Sequence, residues 1–325
     1  MALQSSGPIS ISDVLTEAGL SSTLANTSLR DLEDGNVFTI NTSSPSYPNG
    51  AVPNALSEWY SYDHSYVAYT NGYYYINDGV NDYIQGTWEG QTSLANNDWS
   101  ISFWVKQMQS TAVSQQFWDF NANGTINSGN TDNRVFLQYN ASLNRFIARI
   151  RTNATNFDRQ WALHDNNSVT GTGGSSANKW TATNRGNVNS YGFSHIVVTY
   201  DSSQTSAGSA LKIYWNGAEL TTQAAANSGT RTSNTLGNLC LCGAQHSVTA
   251  GLANVHFDEW AFYNDLLTST EVLALYNSGT IVSPHTINTN NIQEVVQFTN
   301  VTTDINTQYG NYNGTITGGT VEAYA

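Results

Sequence analysis

Charge is scarce in this chain. Lys and Arg number 11 and Asp and Glu 24 among 325 residues, together 11%. The balance, 11 − 24 = −13, repels phosphate backbones and argues against nucleic acid as a partner. No apolar run is long enough to cross a bilayer, so no membrane span is expected. The start, Met1 to Pro8, has neither a basic region nor an apolar one, and no secretory signal peptide is expected there. Only two cysteines occur, Cys240 and Cys242. On a strand they face the same side, a poor geometry for a disulfide. With no other cysteine available they cannot build a thiolate metal site. They read as two small apolar residues of a buried strand. Of the five prolines, Pro45, Pro48 and Pro53 fall in one Ser/Asn-rich stretch, residues 41–54, which reads as an extended linker.

Aromatics and turn formers fill the space. There are 18 Tyr, 9 Trp and 26 Gly. Tyr and Trp suit pleated surfaces, and Gly, Asn and Ser suit the turns between strands. Strand signals recur from Tyr73 onward, including Trp99 to Val105, Gln116 to Phe120, Val135 to Tyr139, Phe146 to Ile150, His195 to Tyr200, Leu211 to Trp215 and Val255 to Phe262. Many short strands with turns between them imply a sandwich or barrel. Asn216-Gly217 between two such runs predicts a type I′ hairpin. Residues 164–190 lack periodicity and predict a long loop. One clear helix is expected at Ser269 to Asn277, capped by Thr268 or Ser269. Short helices are expected at Val14 to Ala18, capped by Ser12 or Asp13, and from Asn26 or Thr27 through Leu32.

Two resemblances follow from the order of these features. Ile76 to Ile84, Trp99 to Lys106, Phe193 to Asp201, Leu211 to Leu220 and Phe257 to Asn264 with the helix after it together resemble the laminin G-like (concanavalin A-like) domains. That resemblance implies an all-β antiparallel sandwich over residues 65–325, with its last strands in 285–325. Ser5 to Val14, with Ser57-Glu58-Trp59-Tyr60 downstream, resembles the leader of tailed-phage structural proteins. It implies a small, mostly irregular or helical attachment segment over residues 1–64. Its spaced apolar residues, Ile9, Ile11, Val14, Leu15, Leu29, Leu32, Leu56 and Trp59, are too sparse for a domain of their own. Something must cover them: other virion proteins are the expected partner, and the alternative is that the segment folds back on its own sandwich as edge cover.

The search for chemistry returns little. Sandwich glycanases need two carboxylates flanking the glycosidic bond. Asp258 and Glu259 are adjacent on a strand and should point to opposite faces. The six histidines show no zinc spacing, and His195 reads as a core residue. No catalytic or metal residue is assigned and no cofactor is expected. Calcium, for which Asp78, Asn81, Asp82, Asp201 and Asp258 offer oxygens, is not favoured. Trp104, Trp215 and Trp260 are assigned to the core, whereas Trp161 and Trp180, flanking the long loop, are candidates for a ligand or subunit contact. Arg145, Arg149 and Arg151, near Arg159, form a basic cluster expected to pair with the chain's own carboxylates, the alternative being an acidic partner surface. The resulting expectation is a non-enzymatic virion surface protein, capsid decoration or tail-fibre-like, assembled in the host cytoplasm as a homo-oligomer and presenting a sandwich that binds a host glycan. The alternatives are a stand-alone carbohydrate-binding protein and, less favoured, a glycan-cleaving enzyme.

Overall fold

Alternation of apolar and polar residues along the strands sets two sheets face to face. The computed structural model describes residues 3–4, 7–22, 27–40, 48, 55–60, 62, 72–88, 94–107, 114–121, 133–140, 143, 145–152, 155–162, 192–220, 225–231, 236–243, 252–288, 291–298, 306–309, 312 and 314–323. The long loop expected at 164–190 lies outside them. The chain divides into two compact units, Met1–Thr70 and Asn71–Ala325.

In the larger unit the strands begin with β1 (Tyr73–Asp78), β2 (Tyr83–Thr87), β3 (Trp99–Gln107), β4 (Gln115–Asn121), β5 (Arg134–Asn140) and β6 (Arg145–Thr152). They continue with β7 (Thr155–Ala162), β8 (Ser194–Tyr200), β9 (Leu211–Trp215), β10 (Ala218–Glu219), β11 (Ala225–Ser228) and β12 (Asn238–Leu241). The last are β13 (Asn254–Tyr263), β14 (Ile292–Gln297), β15 (Asn306–Tyr309), β16 (Thr315–Thr317) and β17 (Thr320–Ala323). Nine form one antiparallel sheet in the order β10-β9-β8-β3-β13-β1-β17, with β14 also on β13 and β15 on β14. The other eight run β11-β7-β6-β5-β4-β12-β2-β16. The antiparallel two-sheet sandwich expected from the sequence is therefore what forms.

Aromatic rings interlock between the sheets. Trp88 lies 4.6 Å from Phe120 and 4.9 Å from Phe262. Trp99, Trp118, Trp260 and Phe257 fill the same core. The outer face of the nine-stranded sheet is apolar too: Val197, Tyr214, Ala261, Tyr263 and Val295 pack with Val272 and Leu275 of a helix, Ser269–Tyr276. Thr268 caps that helix in a reciprocal box with Glu271, satisfying two backbone donors at once. Asn216 and Gly217 take φ of 49° and 81°, as the predicted hairpin between β9 and β10 requires.

The smaller unit departs from expectation. Its helices, Ile11–Glu17 and Leu29–Glu33, are capped by Ser10 and Ser28, each in a box with an aspartate three residues on. The spacing predicts Ser12 or Asp13 as the cap of the first and a start at Asn26 or Thr27 for the second. Ser10 and Ser28 win because each can answer an Asp at the third helical position. The apolar residues cover one another. Val14, Leu15, Leu32, Trp59 and Tyr62 are buried, with Leu3, Ile9, Ile11, Leu29, Val37, Phe38 and Ile40 packed around them. Phe38 and Tyr62 meet the Trp59 ring edge-on at 6.0 and 5.0 Å. The segment thus holds a small core of its own, assembled from residues too far apart in sequence to show as a period.

Two local features of the sandwich yield tests. The first is the turn from β16 to β17, which carries the chain from one sheet to the other: β16 pairs with β2 and β17 with β1. Gly318 and Gly319 make it with φ of +63° and +66°. A methyl on Gly319 would lie 2.5 Å from the Tyr75 ring and 2.6 Å from the Ile76 carbonyl. Gly319→Ala should therefore lower the unfolding free energy by roughly 2 kcal/mol or more in a denaturant titration. Gly237→Ala, with nothing within 4 Å, should stay within about 0.5 kcal/mol.

The second is His195. It is buried across from Trp104, ring to ring at 4.9 Å, with Nε2 2.8 Å from Ser102 Oγ. Burial pushes its pKa down to about 3, against about 6.5 in an unfolded chain. Between those values the unfolded chain takes up the proton and the folded chain does not, so this residue's contribution falls as pH drops from 6.5 toward 3. The stability difference between the wild type and His195→Gln should shrink across that window with a slope of up to about 1.4 kcal/mol per pH unit. A difference that does not change with pH would refute the assignment of a neutral buried ring.

Candidate functional site

Because β-strand side chains alternate, filling the inner face of the eight-stranded sheet with aromatics dictates what its outer face carries. Register partners line up there as one row across all eight strands. The row runs Thr315 on β16, Gln85 on β2, Cys240 on β12, Asp119 on β4, Phe136 on β5, Arg149 on β6, Asp158 on β7 and Asn227 on β11.

The middle of the row is ionic and closed. Arg134 donates to both carboxylate oxygens of Asp119, at 3.1 Å from Nε and 2.5 Å from Nη2, and both side chains are buried. Arg149 donates to Asp158 at 3.2 Å. The Asp158 carboxylate also accepts from Gln160 at 3.0 Å and from Asn227 at 3.0 Å. The two guanidinium groups stand 4.8 and 5.6 Å from the Phe136 ring centre, within cation–π range. Charges so far from water are tolerated because each is paired and hydrogen-bonded.

One end of the row is open and neutral. Tyr83, Gln85, Gly86 and Thr87 on β2, Asn238 on β12, and Thr315 and Thr317 on β16 line a cleft of about 260 Å³. Thr87, Thr315 and Thr317 are exposed, whereas Tyr83, Gln85 and Asn238 are half-buried. The register pairs Thr317 with Tyr83, Thr315 with Gln85 and Thr87 with Asn238, so the lining stands on fixed backbone. The lining side chains supply two amides, three hydroxyls and one phenol, each able to donate and to accept. None is charged. The chemistry available is directional hydrogen bonding to a small neutral polar ligand, with the Tyr83 ring as an apolar surface.

The sequence-based candidates fall elsewhere. Trp161 is wholly buried in the core, at the end of the inward row Gln115, Tyr139, Phe146, Trp161, so its ring cannot stack on a ligand. Trp180 lies outside the described residues. Trp104, Trp215 and Trp260 are buried as expected. Of the basic cluster, Arg149 pairs with Asp158, and Arg145 donates to Gln160 at 3.2 Å. Arg159 leaves the cluster: it donates to the Leu211 carbonyl of β9 at 2.6 Å, and burial lowers its pKa. Among the attachment candidates, Val14, Leu15, Leu32 and Trp59 are buried and Ile9, Ile11 and Leu29 half-covered in the small N-terminal core; Leu56 is half-buried.

The cysteines do not share a face. Cys240 sits in the outer row, but β12 ends at Leu241, and Cys242 turns with φ 60° into the core between the sheets. Both thiols are free, and burial raises both pKa values. Asp258 and Glu259 lie in a β-bulge of β13, with Glu259 at φ 51°. Both are sealed from solvent, at 0% and 1% exposure, so neither can reach a glycosidic bond; the simple alternation expected there is broken by the bulge. Of the calcium candidates, Asp82 accepts the Asp78 amide at 2.9 Å, Asp78 accepts that of Val80 at 2.7 Å, and Asp201 accepts from Ser203 at 2.9 Å. These carboxylates serve their own turns. Among the described residues no three His, Cys, Asp or Glu side chains are grouped to hold a metal.

No family model matches the chain, and no curated protein matches it. Solved structures do. One is a candidate carbohydrate binding protein from Bacteroides ovatus, at 12% identity over 81% of this chain and 62% of that one, with a TM-score of 0.46. Another is the CBM40 of the Ruminococcus gnavus IT-sialidase bound to α2,3 sialyllactose, at 15% identity over 59% of this chain and 94% of that one, TM-score 0.37. A third is the heptameric SAP-like pentraxin from Limulus polyphemus, at 9% identity over 63% of this chain and 82% of that one, TM-score 0.37. The chain spans less than two thirds of the Bacteroides protein's length.

Proposed function

We propose that the sandwich is a carbohydrate-binding module whose ligand sits in the β2–β12–β16 cleft. The observation that carries this reading is the lining: Gln85, Asn238, Thr87, Thr315 and Thr317 beside Tyr83, with no charged side chain, in about 260 Å³. Sugar hydroxyls both donate and accept, and amide and hydroxyl side chains match them on both counts. At the small end of ligand sites, this volume takes one sugar ring rather than a long chain segment. Gln85→Ala and Asn238→Ala should each weaken glycan binding about tenfold, the worth of one or two hydrogen bonds, in variants that circular dichroism shows to be folded. Undiminished binding in both variants, measured by titration calorimetry, would rule the cleft out.

A second reading concerns where the module is presented. The N-terminal unit Met1–Thr70 has its own buried core around Trp59, and Ser5 to Val14 resembles the leader of tailed-phage structural proteins. We infer a virion surface subunit that joins other virion proteins through this unit. A chain beginning at Asn71 should then keep its glycan binding and fail to join particles in a co-sedimentation assay. Normal incorporation of that chain would refute the attachment role.

A further inference from the structure

Electrostatics narrows the ligand beyond "glycan". Resting on the cleft assigned above, we propose that it selects uncharged sugars and excludes carboxylated and sulfated ones.

No lysine or arginine among the described residues lines the cleft. On the same face, the nearest cation in register is Arg134: Asn238 pairs with Asn121 and Asn121 with Arg134. That places it two strands away, roughly 10 Å, with its charge already taken by the Asp119 carboxylate. Arg149 is likewise held by Asp158. Further off, Arg231 donates to the Tyr200 hydroxyl and the Gln204 carbonyl, and Lys212 pairs with Glu219 at 3.5 Å.

A carboxylate or sulfate entering the cleft would shed water without meeting a cation. The loss is large for an ion and small for a hydroxyl, which exchanges one hydrogen bond for another. The chain's net charge of −13 adds a repulsion that salt screens, whereas the missing cation in the cleft is a local deficit that salt does not repair. The two contributions can therefore be separated by ionic strength.

The test uses the full chain on an array of neutral mono- and oligosaccharides and their acidic counterparts, including lactose beside sialyllactose and neutral beside sulfated galactosides. It is run at 0.05 M and about 0.5 M NaCl, and hits are followed by calorimetry. Neutral members should bind at least about tenfold more tightly than their acidic partners at both salt levels. Thr317→Lys, on an exposed edge strand, should lower the ratio of neutral to acidic binding severalfold by giving the acidic partner a cation. Equal or tighter binding of acidic glycans by the wild type would overturn the selectivity and leave the cleft as a glycan site. A preference that vanishes at high salt would overturn it too, by tracing it to the net charge. Binding of no member, with Thr317→Lys likewise inert, would instead remove the carbohydrate reading itself.

Discussion

The aromatic packing between the two sheets is the constraint from which the rest of the larger unit follows. Trp88, Phe120, Trp260 and Phe262 meet at ring separations of 4.6 to 6.1 Å, contributed by segments spread from residue 88 to residue 262. They fit only if β4 and β13 hold their registers. A slip of one residue in β4 or β7 would turn Asp119 or Asp158 inward, leaving a carboxylate among indoles at a cost of several kcal/mol. The outer row of eight residues is thus a by-product of the core.

That row separates into two regimes by charge. Its centre concentrates the acids and arginines into mutual pairs, which removes them from contact with any ligand. Its end is built from Thr, Gln and Asn, the polar residues this chain uses where others use Lys and Glu. A charge-poor composition is therefore more than a mark of β structure here: it decides that the open part of the sheet is neutral. The wall at Thr315 and Thr317 exists because the chain returns after β14 and β15 to add β16 beside β2. The Gly318-Gly319 turn then commits the next strand to the opposite sheet, tying the cleft wall to both layers.

Much of this architecture is legible in sequence, and the reasons are local. Asn216-Gly217 declares its hairpin because two successive positive φ values suit few other residue pairs. The Ser269–Tyr276 helix is announced by its Thr268 cap and an apolar stripe read as Val272, Leu273 and Tyr276, although it is Leu275 that is buried with Val272 while Leu273 is 57% exposed. His195 to Tyr200 reads as a central strand because both faces are apolar. Long-range register leaves no such mark. Gln85 and Thr315 are neighbours separated by most of the sandwich, so nothing near either one signals a cleft. The N-terminal core is hidden for the same reason: Leu3, Leu32, Phe38 and Trp59 share no period. Trp161 misleads because its position beside a long irregular stretch suggests exposure, while its place in the strand, four residues from the inward Phe157 and opposite Phe146, turns it inward. The bulge at Asp258 breaks an alternation that sequence reading takes for granted.

The size of the cleft bears on how such a module would be used. A site that holds one neutral ring through about five side chains gains roughly 1 kcal/mol net per hydrogen bond, less the cost of immobilising the sugar. That caps a single site at about millimolar affinity, roughly −4 kcal/mol. Adding a charged contact is the usual way to strengthen so small a site, and this lining has none to add. Repetition is the remaining route. Copies held on a common support convert later binding events into intramolecular ones, and avidity can exceed the single-site affinity by about 10² to 10⁴. On the proposed reading, a weak neutral cleft of this kind would become effective only where many copies are gathered on one support.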